Sequence, residues 1–439
     1  MLLSILDVFP MKTELKKIIL FFGDSLALAL SLGATLLLGF GNSLSSTTLA
    51  EHVIAFAPLY IVWLLLNYVF ELYDLINQRT PEDILLRILR AGLAHLLVAI
   101  AFFYVMPLGS LTPKTNLVIH VLGFAALMLI LRLLIHRTAR RQSLRVALLD
   151  PKNELTDIES ELRSSPQIGL SNITRLISVP DLQQARQYDV LLYGHTALDS
   201  QGPAALHQLP AWTMSACQAY ERFFNRIPLS HVTPRWAIEH LNRRPSMHYR
   251  ILDVTMYRSI AALVLIATLP ITVLAAVAIY IEDRGPIIFR QKRIGLRGQP
   301  IIIYKLRTMS AAASSKKAYW PSASARDSRI TRVGTLLRKL HIDELPQMFN
   351  VIRGDLALIG PRAEAYDYYE TFLREIPYYY IRHTIKPGFT GWAQVRYFYS
   401  HGVAETARKF EYDLYYIKNQ SVWLDLSILL RTMYIILKH

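Results

Sequence analysis

Residues 18–40 read IILFFGDSLALALSLGATLLLGF, an unbroken apolar run long enough to cross a hydrocarbon core of about 30 Å. Further runs of similar length occupy 53–72, 88–106 and 117–135. Residues 1–140 are therefore expected to form a bundle of four membrane-spanning helices. A cleavable signal peptide fits poorly, because the first run is too long and three more follow it. Lys12, Lys16 and Lys17 precede the first run, Arg79, Arg87 and Arg90 separate the second from the third, and Arg137, Arg140, Arg141 and Arg145 follow the fourth. The loops 41–51 and 107–113 hold no Lys or Arg, and Lys114 stands at the edge of the fourth run. The positive-inside rule then places both ends of the bundle in the cytoplasm. Asp24, His120 and Arg132 lie within or near the spans. An acid facing a neighbouring helix is the expected role of Asp24, and the near absence of paired intramembrane charge argues against a transport path.

The composition agrees with a membrane assignment. Of 439 residues, 52% are hydrophobic and 18% charged, against about 25% charged in a typical soluble domain. The mean hydropathy of +0.26 rules out a disordered chain. The 48 Lys and Arg exceed the 33 Asp and Glu to give a net charge of +15. Such an excess suits either nucleic acid or a membrane surface with phosphorylated substrates. No zinc-finger, RNP-type or basic-helix motif is present, so nucleic acid is not an expected partner. The single cysteine, Cys217, excludes a disulfide framework and a cysteine-based zinc site.

From Arg145 the texture changes. Residues 145–150 and 189–194 read as buried strands separated by polar stretches, which predicts a small α/β domain over 141–245. Pro151-Lys152-Asn153 follows the first strand where a dinucleotide site needs a glycine-rich turn. A regulatory or oligomerising spacer is the expected role.

Residues 260–281 form a fifth apolar segment, flanked on both sides by basic residues: Arg243, Arg244, Arg250 and Arg258 before, Arg284, Arg290, Lys292, Arg293 and Arg297 after. A simple crossing would put one cluster outside, against the positive-inside bias. Pro270 interrupts the helix near its middle, and Thr268 is placed to satisfy freed backbone groups. A helix over about 256–282 that enters, breaks at Pro270 and returns to the same face meets both conditions; a kinked fifth span is the alternative.

Residues 286–293 and 300–309 alternate like two strands of a hairpin, and an Ala- and Ser-rich loop with Lys316 and Lys317 leads to a helical pattern over 330–340. Then come His341-Ile342-Asp343-Glu344-Leu345-Pro346-Gln347, Gly360-Pro361-Arg362, Lys386-Pro387-Gly388-Phe389-Thr390-Gly391-Trp392 and Tyr412-Asp413-Leu414-Tyr415-Tyr416. Lys305, Arg307, Arg329, Arg332, Arg362 and Arg396 are candidate phosphate-binding cations, Arg with bidentate capacity. Asp343 and Glu344 are adjacent, so on a helix they point about 100° apart and take different parts. One suits nucleophilic attack on phosphorus and the other Mg²⁺, which takes one or two carboxylates plus substrate phosphates. The residues alone leave open which does which, and both are candidate metal ligands. An acidic pair on a solvated helix face is the ordinary alternative. His341 and His383 are available as general bases, and the Tyr-rich stretch 366–380 suits either a lipid interface or the domain core. For Lys386-Pro387-Gly388 and Gly391 a rigid turn is the plain reading.

Residues 257–439 closely resemble the bacterial sugar transferases called monotopic phosphoglycosyl transferases. The whole chain looks like their large form, which adds four spans and a Rossmann-like domain. The resemblance rests on motifs in matching order, among them Asp343-Glu344-Leu345-Pro346-Gln347 and Lys386-Pro387-Gly388-Phe389-Thr390-Gly391-Trp392. It implies an α+β catalytic domain over 246–439 carrying a re-entrant membrane helix, in the bacterial inner membrane. It also implies transfer of a sugar 1-phosphate from a UDP-sugar to polyprenyl (undecaprenyl) phosphate, with UMP release, Mg²⁺ and a covalent aspartyl intermediate, at the start of exopolysaccharide or other surface-glycan assembly. By the same resemblance Asp343 looks like the nucleophile, Glu344 its Mg²⁺-associated partner and Arg362 a phosphate-binding arginine. The family usually has a second proline where this chain has Ala363, and many members carry an Asn-Gly-Arg-Asn type stretch where it reads Arg396-Tyr397-Phe398-Tyr399; Arg396 would then reach the donor from a shifted position. The expected partners are the UDP-sugar, the polyprenyl phosphate and membrane lipids, with a homodimer as the candidate assembly. Two rivals are a single-displacement transferase, in which Asp343 and Glu344 only bind metal, and a membrane transporter or sensor with a cytoplasmic ligand-binding domain.

Overall fold

A computed structural model of the protein describes residues 13–73, 81–105, 114–141, 144–150, 153–164, 170–176, 188, 190–194, 212–241, 251, 253–310, 329–397 and 402–438. The basic clusters at Arg79 and at Arg243, Arg244 and Arg250, Pro151 and Lys152, and Lys316 and Lys317 of the Ala- and Ser-rich loop lie outside the described residues. The chain divides into two compact units, Met1–Ala216 and Cys217–His439.

The first unit opens with four helices, α1 (Thr13–Phe40), α2 (Ser46–Val69), α3 (Pro81–Val105) and α4 (Lys114–Arg141). All four are long and apolar enough to cross a membrane. Helix α2 starts within the expected loop because Ser45 caps it, its hydroxyl accepting from the Thr48 amide at 3.1 Å. Leu28, Leu36, Phe56, Trp63, Phe124 and Met128 pack the interior, while Leu38, Ile54, Leu122 and Tyr104 point outward. An apolar exterior around buried polar groups is the arrangement lipid selects. The expectation of almost no paired intramembrane charge does not hold. Asp24 and Arg132 are fully buried and meet in two 2.8 Å bonds, Arg132 Nη1 to Asp24 Oδ1 and Nη2 to Oδ2. Asn67 donates to Asp24 Oδ2 at 3.0 Å. The partners stand on α1 and α4, too far apart in sequence for spacing to reveal the pair.

Beyond the helices, β1 (Leu144–Leu149), β2 (Leu170–Leu176), β3 (Val190–Tyr193) and β4 (Trp212–Ser215) form a parallel sheet in the order β2-β1-β3-β4. Helix α5 (Thr156–Ser164) follows β1. β2 and β4 add to the two strands legible in the sequence, whose apolar runs β1 and β3 are the buried centre. At the end of β1 the Asp150 carboxylate accepts from the amides of Glu154 at 2.6 Å and Leu155 at 3.1 Å. An acid thus takes the amides that a phosphate would need there.

In the second unit, residues 217–241 come first, with α6 (Pro234–Leu241), and pack with the C-terminal part of the chain. Helices α7 (Arg258–Ala267) and α8 (Leu269–Asp283) follow, bent by 55° at a one-residue break. Pro270 sits in the first turn of α8, where its missing N–H costs nothing. Thr268 bridges the break: its hydroxyl donates to Val264 O at 2.7 Å, and its carbonyl accepts from the Thr272 amide at 2.9 Å. Leu263, Ile266, Leu274 and Ile281 leave both helices apolar on the outside. The expected hairpin is present as antiparallel β5 (Ile288–Ile294) and β6 (Pro300–Leu306). Then come α9 (Arg332–Lys339), a 3₁₀ turn Ile342–Glu344, α10 (Gln347–Arg353), β7 (Ala357–Ile359), α11 (Tyr366–Glu375), β8 (Gly388–Thr390), α12 (Trp392–Arg396), α13 (Val403–Asn419) and α14 (Val422–Lys438). The core gathers Tyr257, Ala261, Met348, Leu358, Trp392, Tyr416 and Ile428. Asp425, fully buried, accepts from Tyr257 and Tyr416, each at 2.8 Å, tying the foot of α7 to α13 and α14. In the Tyr-rich stretch Tyr379 is buried in the domain core and Tyr380 is exposed.

Candidate active site

Two strands and a turn deliver the charged groups. Lys305 lies one residue before the end of β6, which Asn350 of α10 fixes by donating to Ile302 O at 2.7 Å and accepting from the Tyr304 amide at 3.1 Å. Arg338 of α9 donates to the Thr308 hydroxyl at 2.8 Å. His341 then adopts φ 54°, a left-handed conformation uncommon outside glycine. It ends the helix and throws Asp343 and Glu344 into the 3₁₀ turn, in place of the regular helix that their spacing suggested. Arg362 follows β7, which pairs in parallel with β8. Backbone meets backbone there: a Cβ on Gly388 would lie 2.1 Å from Gly360 N, and one on Gly391 2.0 Å from Gly360 O. The two motifs therefore supply a close approach as well as a turn, and through it the seat of Arg362.

These elements converge on Glu344. Its Oε1 accepts from Lys305 Nζ at 2.6 Å and Arg362 Nη2 at 2.8 Å. Burial would raise the Glu344 carboxyl, but Arg362 and Lys305 outweigh it and hold the group well below the usual carboxylate range. Asp343, next in sequence, has no hydrogen-bond or ion-pair partner at its carboxylate among the described residues. Burial raises its pKa, opposed by Lys305 and assisted by Glu344. Adjacent carboxyls are thus pushed in opposite directions, which suits different roles.

The remaining candidate cations separate. Arg307 is buried at 3% exposure and pairs with Asp283 at 3.5 Å. Arg332 is exposed on α9, its backbone amide bonded to Glu282 at 2.8 Å. Arg396 lies 4.6 Å over the Trp392 ring. Arg329 accepts at its carbonyl from the Ser310 amide at 3.0 Å. Burial and Arg382 push the His383 imidazole down to about 3.

A second network carries residues that motif reading passed over. Arg382, 2% exposed, donates to Glu364 at 3.1 Å, to Asp413 at 2.8 Å and to Arg362 O at 3.2 Å, and bonds Tyr379. Arg293 donates to Ala363 O at 2.9 Å. The segment 361–364 is thereby pinned behind Glu344, with Ala363 buried where the family's proline is expected. Lys409 of α13 approaches Glu364 at 3.5 Å. Asp413 stood in a quoted motif, but nothing in spacing placed Arg293, Arg382 or Lys409 beside it.

In front of Glu344 and Arg362 opens a cleft of about 310 Å³ whose walls include His341, Phe389, Val395, Lys409, Ile435 and Ile436. A narrow recess beside it is edged by Arg293, Lys305, Arg362 and Gln347. No group of three or more His, Cys, Asp or Glu suited to a metal occurs among the described residues. An ion held by one or two carboxylates plus phosphates needs no such group, and the unpartnered Asp343 carboxylate with the ionised Glu344 fits that donor set.

A family model described as bacterial sugar transferase matches residues 246–439. The chain is 39% identical over 236 residues to the UDP-N-acetylgalactosamine-undecaprenyl-phosphate N-acetylgalactosaminephosphotransferase of Aeromonas hydrophila, a match covering 50% of this chain and 55% of that protein. It is 43% identical over 188 residues to the UDP-glucose:undecaprenyl-phosphate glucose-1-phosphate transferase of Caulobacter vibrioides, covering 42% of this chain and 67% of the relative. It is 38% identical over 185 residues to the uncharacterized sugar transferase EpsL of Bacillus subtilis, covering 42% and 84%. The chain thus spans about half the length of the Aeromonas relative.

Proposed function

The chain belongs to the bacterial sugar transferase family, and within it we propose that this protein transfers a sugar 1-phosphate from a UDP-sugar to polyprenyl phosphate at the cytoplasmic face of the bacterial inner membrane. What supports the reading is the division of labour at residues 343 and 344: both cations go to Glu344, and Asp343 has no hydrogen-bond or ion-pair partner among the described residues. Asp343 attacks the β-phosphorus of the donor. An Asp–O–P bond forms, the bond to the nucleoside monophosphate breaks, and UMP leaves with the electron pair. A phosphate oxygen of the acceptor then attacks the same phosphorus and releases the carboxylate, giving the lipid-linked sugar diphosphate. Covalent catalysis suits substrates arriving from water and from lipid, since they need not meet at once.

Lys305 and Arg362 hold Glu344 ionised and add positive charge where phosphate charge gathers. Mg²⁺, held by Glu344 and Asp343 together with substrate phosphates, would neutralise part of that charge. The bent pair α7–α8 serves as a re-entrant anchor: its apolar surface faces lipid, Pro270 sits in the first turn of α8, and the Thr268 hydroxyl bonds Val264 O across the bend. The parallel sheet is a Rossmann-like module with a regulatory or oligomerising role, and the product enters exopolysaccharide assembly. Relatives named for UDP-glucose and UDP-N-acetylgalactosamine set the donor panel. Incubation of the full chain with undecaprenyl phosphate and each UDP-sugar is expected to release UMP and form lipid-linked sugar with one of them, and Asp343→Asn to abolish both. Turnover retained by that variant would contradict the nucleophile assignment.

A further inference from the structure

The cleft before Glu344 combines two cations with a mostly apolar surface. Arg362 and Lys409 supply its cations, Phe389, Val395, Ile435 and Ile436 its apolar surface, and Thr390, Gln394, Tyr397 and Thr432 line it as well. We propose that this cleft is the acceptor subsite: Lys409, beside Arg362, binds the phosphate monoester of the polyprenyl phosphate, and the first isoprenyl units lie against Phe389, Val395 and helix α14. The assignment rests on the transferase reading above and adds the place where the lipid enters.

Three observations converge. Lys409 is 7% exposed yet lines the cleft, and among the described residues its ammonium makes one ion contact, the 3.5 Å approach to Glu364. With three N–H donors, it keeps capacity for an anion. Glu364 is already committed to Arg382. Burial pushes the Lys409 ammonium down, the nearby Arg382 and Arg362 add to this, and Glu364 and Asp413 oppose it; a phosphate settling between Lys409 and Arg362 relieves the repulsion between the cations. Ile435 of the apolar wall packs against the same core as Ile260, Val264 and Leu265 of α7, part of the proposed membrane anchor. Helix α14 exposes Trp423, Met433 and Ile436, an apolar face ending in an aromatic anchor suited to a membrane surface. Most of the surface that the cleft exposes is apolar, and a prenyl chain buries it more completely than a nucleotide would.

The full chain in nanodiscs is assayed with Lys409→Met, Lys409→Arg and Ile436→Glu, the last at an exposed position where folding is little at stake. Loss of a charge-assisted phosphate contact predicts a rise of about tenfold to a hundredfold in the KM for undecaprenyl phosphate in Lys409→Met. The KM for the UDP-sugar is expected to move by less than about twofold. Lys409→Arg restores most of the loss, and Ile436→Glu raises the acceptor KM to a smaller extent. Retention of undecaprenyl phosphate on the purified chain, read by native mass spectrometry, repeats the comparison without turnover: wild type keeps the lipid and Lys409→Met loses it. An unchanged acceptor KM and equal lipid retention would overturn the assignment, as would a rise confined to the donor KM. Lipid retained by the wild type with no turnover on any UDP-sugar counts against the transferase reading and leaves the subsite standing.

Discussion

Asp24–Arg132 in the first unit and Glu344 with Lys305 and Arg362 in the second are both buried acid–base clusters, built on opposite terms. In the bundle one carboxylate meets one guanidinium through two 2.8 Å bonds, both side chains fully sealed. At the second cluster two cations share one carboxylate oxygen, the neighbouring Asp343 has no partner among the described residues, and a cleft opens in front. A matched, closed pair holds helices together and has nothing to offer a ligand. An unmatched, open one holds charge in readiness for an anion. The bundle pair removes one reason for setting transport aside, the lack of intramembrane pairing, but its closed bidentate geometry is that of a clasp between α1 and α4.

Breaking each cluster tests the distinction. The largest effect is expected in the bundle: Arg132→Leu leaves a buried carboxylate unpaired and costs about 3–5 kcal/mol. A fall in thermal midpoint in detergent measures it, and the double variant Asp24→Leu, Arg132→Leu recovers most of the loss. A double variant as unstable as the single would mean that the pair is more than a clasp. Next, Arg362→Ala is expected to lower kcat/KM by about a hundredfold, near 2.7 kcal/mol of transition-state stabilisation, with the midpoint much less affected. A smaller effect comes from pH. His383 is pushed down to about 3 in the folded protein, against about 6.5 in the unfolded chain, so the unfolded state binds the extra proton. Stability from this group is complete above about pH 6.5 and declines as pH falls toward 3. Glu344 and Glu364, also held low, add to the loss only below about pH 4.3. His383→Gln should flatten the upper part of the curve, read by denaturation at a series of pH values. Smallest of all, Arg235→Ala removes a solvent-exposed pair with Glu239 and should leave the midpoint unmoved.

What the residues disclosed in advance follows from the range of the forces involved. Local apolar length marked the four long helices, and alternation marked the β5–β6 hairpin. The bend at Thr268 and Pro270 was legible because proline chemistry is local. Asp343, Glu344, Lys305 and Arg362 were legible as motifs, though not that Lys305 and Arg362 both go to Glu344. Strands β2 and β4 carry polar side chains in a sheet whose centre is apolar, so their sequences looked like connectors. The Asp24–Arg132 pair and the Arg382 network depend on tertiary contacts between distant segments, and no spacing rule reaches them. His383 seemed available only because burial has no local signature.

The central claim is that Glu344 takes the cations so that Asp343 is free to form a bond. The most direct test incubates the full chain with a UDP-sugar labelled in the β-phosphate, without lipid acceptor, and follows the protein. The account predicts label on the wild-type chain, none on Asp343→Asn, and release of that label into lipid when undecaprenyl phosphate is added. Full turnover of an unlabelled wild-type enzyme would contradict it and point to direct displacement.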